Sequence, residues 1–160
     1  MNILKLELTH FGKFHLKTIT FTSGLNIVYG KNEAGKSTIH AFVRSMLFGI
    51  PDTEEGNERY THYLPWETPH DFCGRMWIKK DDKVYRIERN FLRPQPTVRV
   101  FDDETDESLQ PAKQHLRQIL SGLTETSYLN TICIEQLKSA TDPQLAKELE
   151  DMAVNASQSK

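Results

Sequence analysis

This sequence is short of cysteine, of long apolar runs and of any surplus of one charge. Its only two cysteines, Cys73 and Cys133, lie far apart and form no C-x-x-C unit. That rules out a disulfide framework and makes reduced thiols in the cytoplasm the simpler expectation. His62, His70 and Cys73 match no zinc-ligand spacing and read as surface or partly buried side chains. No stretch approaches the roughly 18 apolar residues of a membrane span, and no apolar segment of signal-peptide type follows the first residue. Secretion and membrane residence are therefore not expected. With 20 basic against 22 acidic residues the net charge is −2. No global attraction to nucleic acid follows from that balance, which leaves only a local patch. An N-K-x-D element is missing too, which argues against a guanine-specific hydrolase.

The 160 residues, 38% of them hydrophobic and 26% charged, suit one globular domain with a real core. The most informative string is Gly30-Lys31-Asn32-Glu33-Ala34-Gly35-Lys36-Ser37, which fits the phosphate-binding pattern G-x-x-x-x-G-K-[ST]. Leu25 to Tyr29 reads as a buried strand before it and Ser37 to Phe48 as a helix after it, the context the pattern requires. Glycines at 30 and 35 let successive backbone N–H groups turn toward phosphate oxygens, and the helix N-terminus adds partial positive charge. Lys36 is then expected on the β- and γ-phosphates, with the Ser37 hydroxyl on Mg²⁺.

Two strands precede this unit, Ile3 to Leu8 with apolar residues at 4, 6 and 8, and Leu16 to Phe21, separated by His10-Phe11-Gly12-Lys13. Connections that tight cannot make parallel crossovers, so the chain opens as an antiparallel meander. In the helix, Ile39, Phe42, Val43, Met46 and Leu47 share one face, and Gly49 and Pro51 end it. Residues 49 to 72 lack periodicity and read as a long, mobile loop. A hairpin about Asp81-Asp82 joins Gly74–Lys80 to Lys83–Phe91, and Thr97 to Phe101 forms another strand. Helices follow from Pro111 to Leu120 and from about Glu125. Ile132 to Ile134 is a brief strand ending at Glu135-Gln136, and Thr141-Asp142-Pro143 starts a last helix with Leu145, Leu149 and Met152 on a narrow stripe.

Two segments imitate catalytic motifs. Val98 to Glu104 looks like the apolar strand and acid pair of a Walker B element, but Arg99 breaks the continuous apolar run that a central parallel strand needs. Leu120-Ser121-Gly122-Leu123 resembles an ABC signature, yet Leu123 stands where a second glycine is required, so a turn between helices is the better reading. The sequence therefore supplies a phosphate cradle without the acids that hydrolysis needs.

The order of strand, break, strand, P-loop, hairpin, Gln-bearing strand end and narrow-striped helix resembles the N-terminal lobe of the SMC/SbcC-type ABC ATPases. Asn32-Glu33-Ala34-Gly35-Lys36-Ser37-Thr38, Phe11-Gly12-Lys13-Phe14, Arg59-Tyr60 and Leu64-Pro65-Trp66 are similar to the YhaN-like bacterial AAA proteins of that group. The resemblance covers about residues 1 to 150. It implies an α/β fold: an ABC-type P-loop NTPase half-head with an antiparallel meander and hairpin, then a helix that begins a coiled coil. Residues 1–140 would form the lobe and 141–160 the start of the coil. By the same resemblance Gly30, Asn32, Glu33, Ala34, Gly35, Lys36, Ser37 and Thr38 bind ATP, with Lys13 near the phosphates or base. Gln136 would reach Mg²⁺ and the attacking water. The acids and signature would lie in a C-terminal lobe, and two heads would sandwich ATP. In the family the top face of the head can bind DNA, and Lys79, Lys80, Lys83, Arg86, Arg89 and Arg93, interleaved with Trp77, Tyr85 and Phe91, are the candidates here, although Asp81, Asp82 and Glu88 among them equally suit strands with one polar face. Work in DNA repair or chromosome maintenance follows as the expected role. A P-loop kinase would need an arginine-rich lid, which the segment after the helix does not clearly supply. A binding module that uses nucleotide without turnover is the other alternative.

Overall fold

The computed structural model describes residues 2–21 and 33–127. Its framework is one six-stranded antiparallel sheet built from β1 (Asn2–Phe11), β2 (Phe14–Thr20), β3 (Cys73–Lys80), β4 (Lys83–Asn90), β5 (Thr97–Asp102) and β6 (Glu107–Leu109). The strand order is β2-β1-β3-β4-β5-β6. The opening meander and the later hairpin expected from the sequence are both present. Asp81 and Asp82 both take positive φ, the backbone that a two-residue hairpin turn demands and that Asp tolerates. The strand expected at residues 25–29 and the elements expected after 130 lie outside the described residues.

Helix α1 (Glu33–Phe48) lies on this sheet against β1, β3 and β4. Ile39, Phe42, Val43, Met46 and Leu47 are all buried, as the helical period predicts, and they meet Leu6, Leu8, Met76, Ile78 and Ile87. Helix α3 (Ala112–Leu120) begins after Pro111 and packs Leu116 and Ile119 beside β5. A short α4 (Glu125–Ser127) follows.

Three expectations need correction. First, Ile3 rather than Leu4 is buried in β1, because register shifts between Ile3 and Lys5 and again between Glu7 and His10 break the simple alternation. Second, residues 49–72 are not a bare loop: α2 (Glu54–Tyr63) occupies the middle. The Thr53 hydroxyl caps it by accepting from the Gly56 amide at 3.0 Å, with Glu54 and Glu55 in its first turn. Third, α1 begins at Glu33, inside the glycine-rich motif, rather than at Ser37.

At Gly74 the Phe42 side chain of α1 packs directly onto the backbone of β3. A Cβ there would lie 2.3 Å from the Phe42 ring, whose side chain is fully buried. Gly74→Ala is expected to destabilise the fold by about 1–3 kcal/mol through overpacking. Urea unfolding should show this as a lower midpoint at unchanged slope.

Candidate functional site

The first turns of α1 contain Glu33, Ala34, Gly35, Lys36 and Ser37, followed by Thr38, whose side chain is only 8% exposed. Gly30, Asn32 and Gln136 lie outside the described residues. The first N–H groups of a helix have no intrahelical partner, and its N-terminus carries the positive end of its dipole.

The β1–β2 turn seats directly against this end of the helix. Gly12 has φ +59°, and a Cβ on it would approach Thr38 Cγ2 at 3.2 Å and Tyr63 Cδ1 at 3.4 Å. Its amide donates to the Tyr63 carbonyl at 2.7 Å. Phe11 is buried among Phe42, Tyr63, Phe72 and Phe91, with ring centroids 5.1–5.7 Å away. The string Phe11-Gly12-Lys13-Phe14 is thus an anchored turn, and it leaves Lys13 exposed next to Gly12. Gly12 carries a role that the sequence reading missed; its signal was a lone glycine in the break between two strand-like runs. Gly12→Ala must hold alanine in a left-handed backbone against Thr38. It should cost about 1–2 kcal/mol, seen as a lower melting temperature in calorimetry.

In the C-terminal half of α1, Arg44 donates to Glu55 of α2 at 2.9 Å and also bonds Glu125 of α4. Arg59, only 6% exposed, reaches the Gly49 carbonyl at 3.5 Å and stands 3.7 Å from the Glu55 carboxylate. Burial lowers its pKa, and the Arg44 charge lowers it further. His40 is pushed down by burial first and Arg44 second, which keeps its imidazole neutral at neutral pH. These groups fasten α2 and α4 to α1, so they hold the helix that carries the motif.

The two imitations resolve as structure. The strand Thr97–Asp102 is antiparallel between β4 and β6, not central in a parallel sheet. Asp102 pairs with Lys83 at 3.1 Å and accepts from the Glu104 amide at 3.0 Å, an arrangement that holds its carboxyl below the usual range. Asp103 accepts from Trp77 Nε1 and from Arg86. Ser121 ends α3 in the left-handed region, and the turn of Gly122 and Leu123 leads on to α4. Among the described residues no three His, Cys, Asp or Glu side chains are grouped to hold a metal, and burial raises the Cys73 thiol.

The basic hairpin is mostly spoken for. Lys80 caps the end of α3 through the Gln118 and Ile119 carbonyls at 2.7 Å each. Arg86 is shared among Glu88, Asp103 and Asp106, which raises its pKa. Arg89 donates to the Met46 carbonyl at 2.6 Å, closing α1, and burial lowers its pKa to about 10. What remains is not a row of free cations aligned for a phosphate backbone.

Residues 1–147 match the family model described as an AAA domain. The chain belongs to that family. This AAA domain is 43% identical over 56 residues to the uncharacterized protein YhaN of Bacillus subtilis, a match covering 34% of the chain and 6% of YhaN. It is 26% identical over 146 residues to the DNA double-strand break repair Rad50 ATPase of Thermococcus kodakarensis, covering 85% of the chain and 15% of that relative. The likeness to SMC/SbcC-like, YhaN-type ATPases read from the motifs therefore stands. The AAA domain spans only a small part of the length of either curated relative. No helix among its described residues is long and apolar enough to cross a membrane.

Proposed function

We propose that this chain is the ATP-binding N-terminal half of an SMC/SbcC-like ATPase that acts on DNA in the cytoplasm, in repair or chromosome maintenance. Residues 1–140 form the lobe and 141–160 begin a coiled coil. Gly30, Asn32, Glu33, Ala34, Gly35, Lys36, Ser37 and Thr38 cradle the phosphates, Ser37 and Gln136 face Mg²⁺, Gln136 orients water and Lys13 lies near the nucleotide. The observation that carries this reading is the junction of the motif with the fold. Helix α1 starts inside the glycine-rich string, and Gly12 of the β1–β2 turn packs against Thr38, the residue after that string. A helix N-terminus favours an anion, and Lys13 is exposed beside Gly12, which together support a polyphosphate as the ligand.

Bound MgATP would supply the scissile phosphoanhydride and a metal to neutralise charge. The chain's own part is to bind and orient the phosphates and to place Gln136 by the water. The remaining groups, a Walker B acid, a water-activating glutamate and the signature contact, come from a C-terminal lobe and a second head. The exposed Leu16 and Trp66 offer apolar surface to such partners. The Rad50 relative, named for DNA double-strand break repair, supports the role on DNA. The parent reading frame tests the proposal. Heptads leading to L-S-G-G-x and an apolar strand ending Asp-Glu would support it, while a stop directly after Lys160 would contradict it.

A further inference from the structure

A cleft of about 460 Å³ opens at the other end of α1, between the residues that follow that helix, the β4–β5 connection and one face of α3. Its half-buried floor includes Phe48, Ile50, Val98 and Leu120. Four cations line it, Arg89, Arg93, Lys113 and Arg117, and no Asp or Glu does.

Several cations elsewhere among the described residues are matched by acids. Arg44, Arg59, Arg75, Lys83 and Arg86 each have a carboxylate partner. Arg89 and Arg93 of the cleft are met by neutral groups instead. Arg89 is spent on helix carbonyls, where the negative end of the α1 dipole offsets part of its charge. Arg93 donates to Asn57 Oδ1 at 2.6 Å and to the Pro51 carbonyl at 3.2 Å, and lies over the Tyr60 ring. Lys113 and Arg117, one turn apart on α3, are exposed and have no ion pair among the described residues. Positive charge around an apolar floor selects an occupant with negative charge around an apolar body.

We propose that this cleft docks an acidic peptide segment of a partner protein, with one apolar side chain on the floor and flanking carboxylates on Arg93, Lys113 and Arg117. Size and chemistry favour a peptide over nucleic acid. The volume is that of a small-ligand pocket, too small for a duplex. The partly accessible floor is mostly aliphatic, whereas single strands are held by stacking on aromatic faces. Carboxylates flanking an apolar anchor satisfy the rim and the floor together.

Fluorescence anisotropy of the intact protein with a fluorescein-labelled peptide, aspartates on both sides of a central leucine, tests this. Binding should weaken with salt and fall about tenfold or more when Lys113→Glu and Arg117→Glu are combined. Lys36→Ala should leave it unchanged. Because both reversed residues are exposed, the variant should keep its circular dichroism and melting temperature, and it should gain affinity for the same peptide with lysines in place of aspartates. The proposal is overturned if the double reversal leaves aspartate-peptide binding unchanged, or if the all-asparagine peptide binds equally well. It is likewise overturned if an oligothymidine binds there in preference to the peptide.

Discussion

Lys36→Ala is expected to reduce the affinity of this chain for MgATP by at least about 10- to 100-fold, the worth of a charge-assisted contact to phosphate. The lysine follows Gly35 in the glycine-rich string and falls in the first turns of α1, where the helix N-terminus already favours an anion. Backbone donors survive the substitution, so any residual binding measures their share. Wild-type binding should itself be weak, because the γ-phosphate lacks contacts from an opposing head. Titration calorimetry reads both proteins directly. Equal affinities would remove the phosphate cradle from residues 30–38.

The second large effect is an absence of turnover by residues 1–160 on their own. Phosphoryl transfer depends on positioning and charge neutralisation, and each missing group costs on the order of 10²–10³-fold. The one acid cluster that imitates a Walker B element is committed to Lys83, Trp77, Arg86 and nearby backbone amides. Asp103→Asn and Glu104→Gln should therefore change no ATPase rate. The first should loosen the turn after β5, since Asp103 accepts from two side chains.

How much was legible follows from which residues signal locally. The face of α1 was readable because five large apolar residues recur at the helical period and all are buried. The hairpin was readable because Asp81-Asp82 separates two strand-like runs, and the Walker B imitation because Arg99 disturbs its pattern. Helix α2 was not. Its sequence, EEGNERYTHY, is polar nearly throughout, and it is held by its Thr53 cap and by burial of Gly56 and Arg59, neither of which makes a periodic apolar signal. The face of β1 was misread at its start because a bulge arises from pairing with β3, a partner about seventy residues away. For the site, the motif named its residues, but the seating of Gly12 on Thr38 depends on tertiary packing. The basic hairpin left DNA contact and an ordinary polar strand face both open in sequence, because most of the carbonyls and carboxylates that occupy it come from other elements.

The central claim is that this AAA domain holds one half of a divided ATPase site. A steady-state ATPase assay tests it most directly, with residues 1–160 alone and then with the C-terminal lobe of the same protein expressed separately and added. The account predicts no measurable rate from residues 1–160 alone, turnover when the lobe is added, and loss of that turnover in Lys36→Ala. A rate near ~1 s⁻¹ from residues 1–160 alone, within the ordinary enzyme range, and abolished by Asp103→Asn or Glu104→Gln, would contradict it.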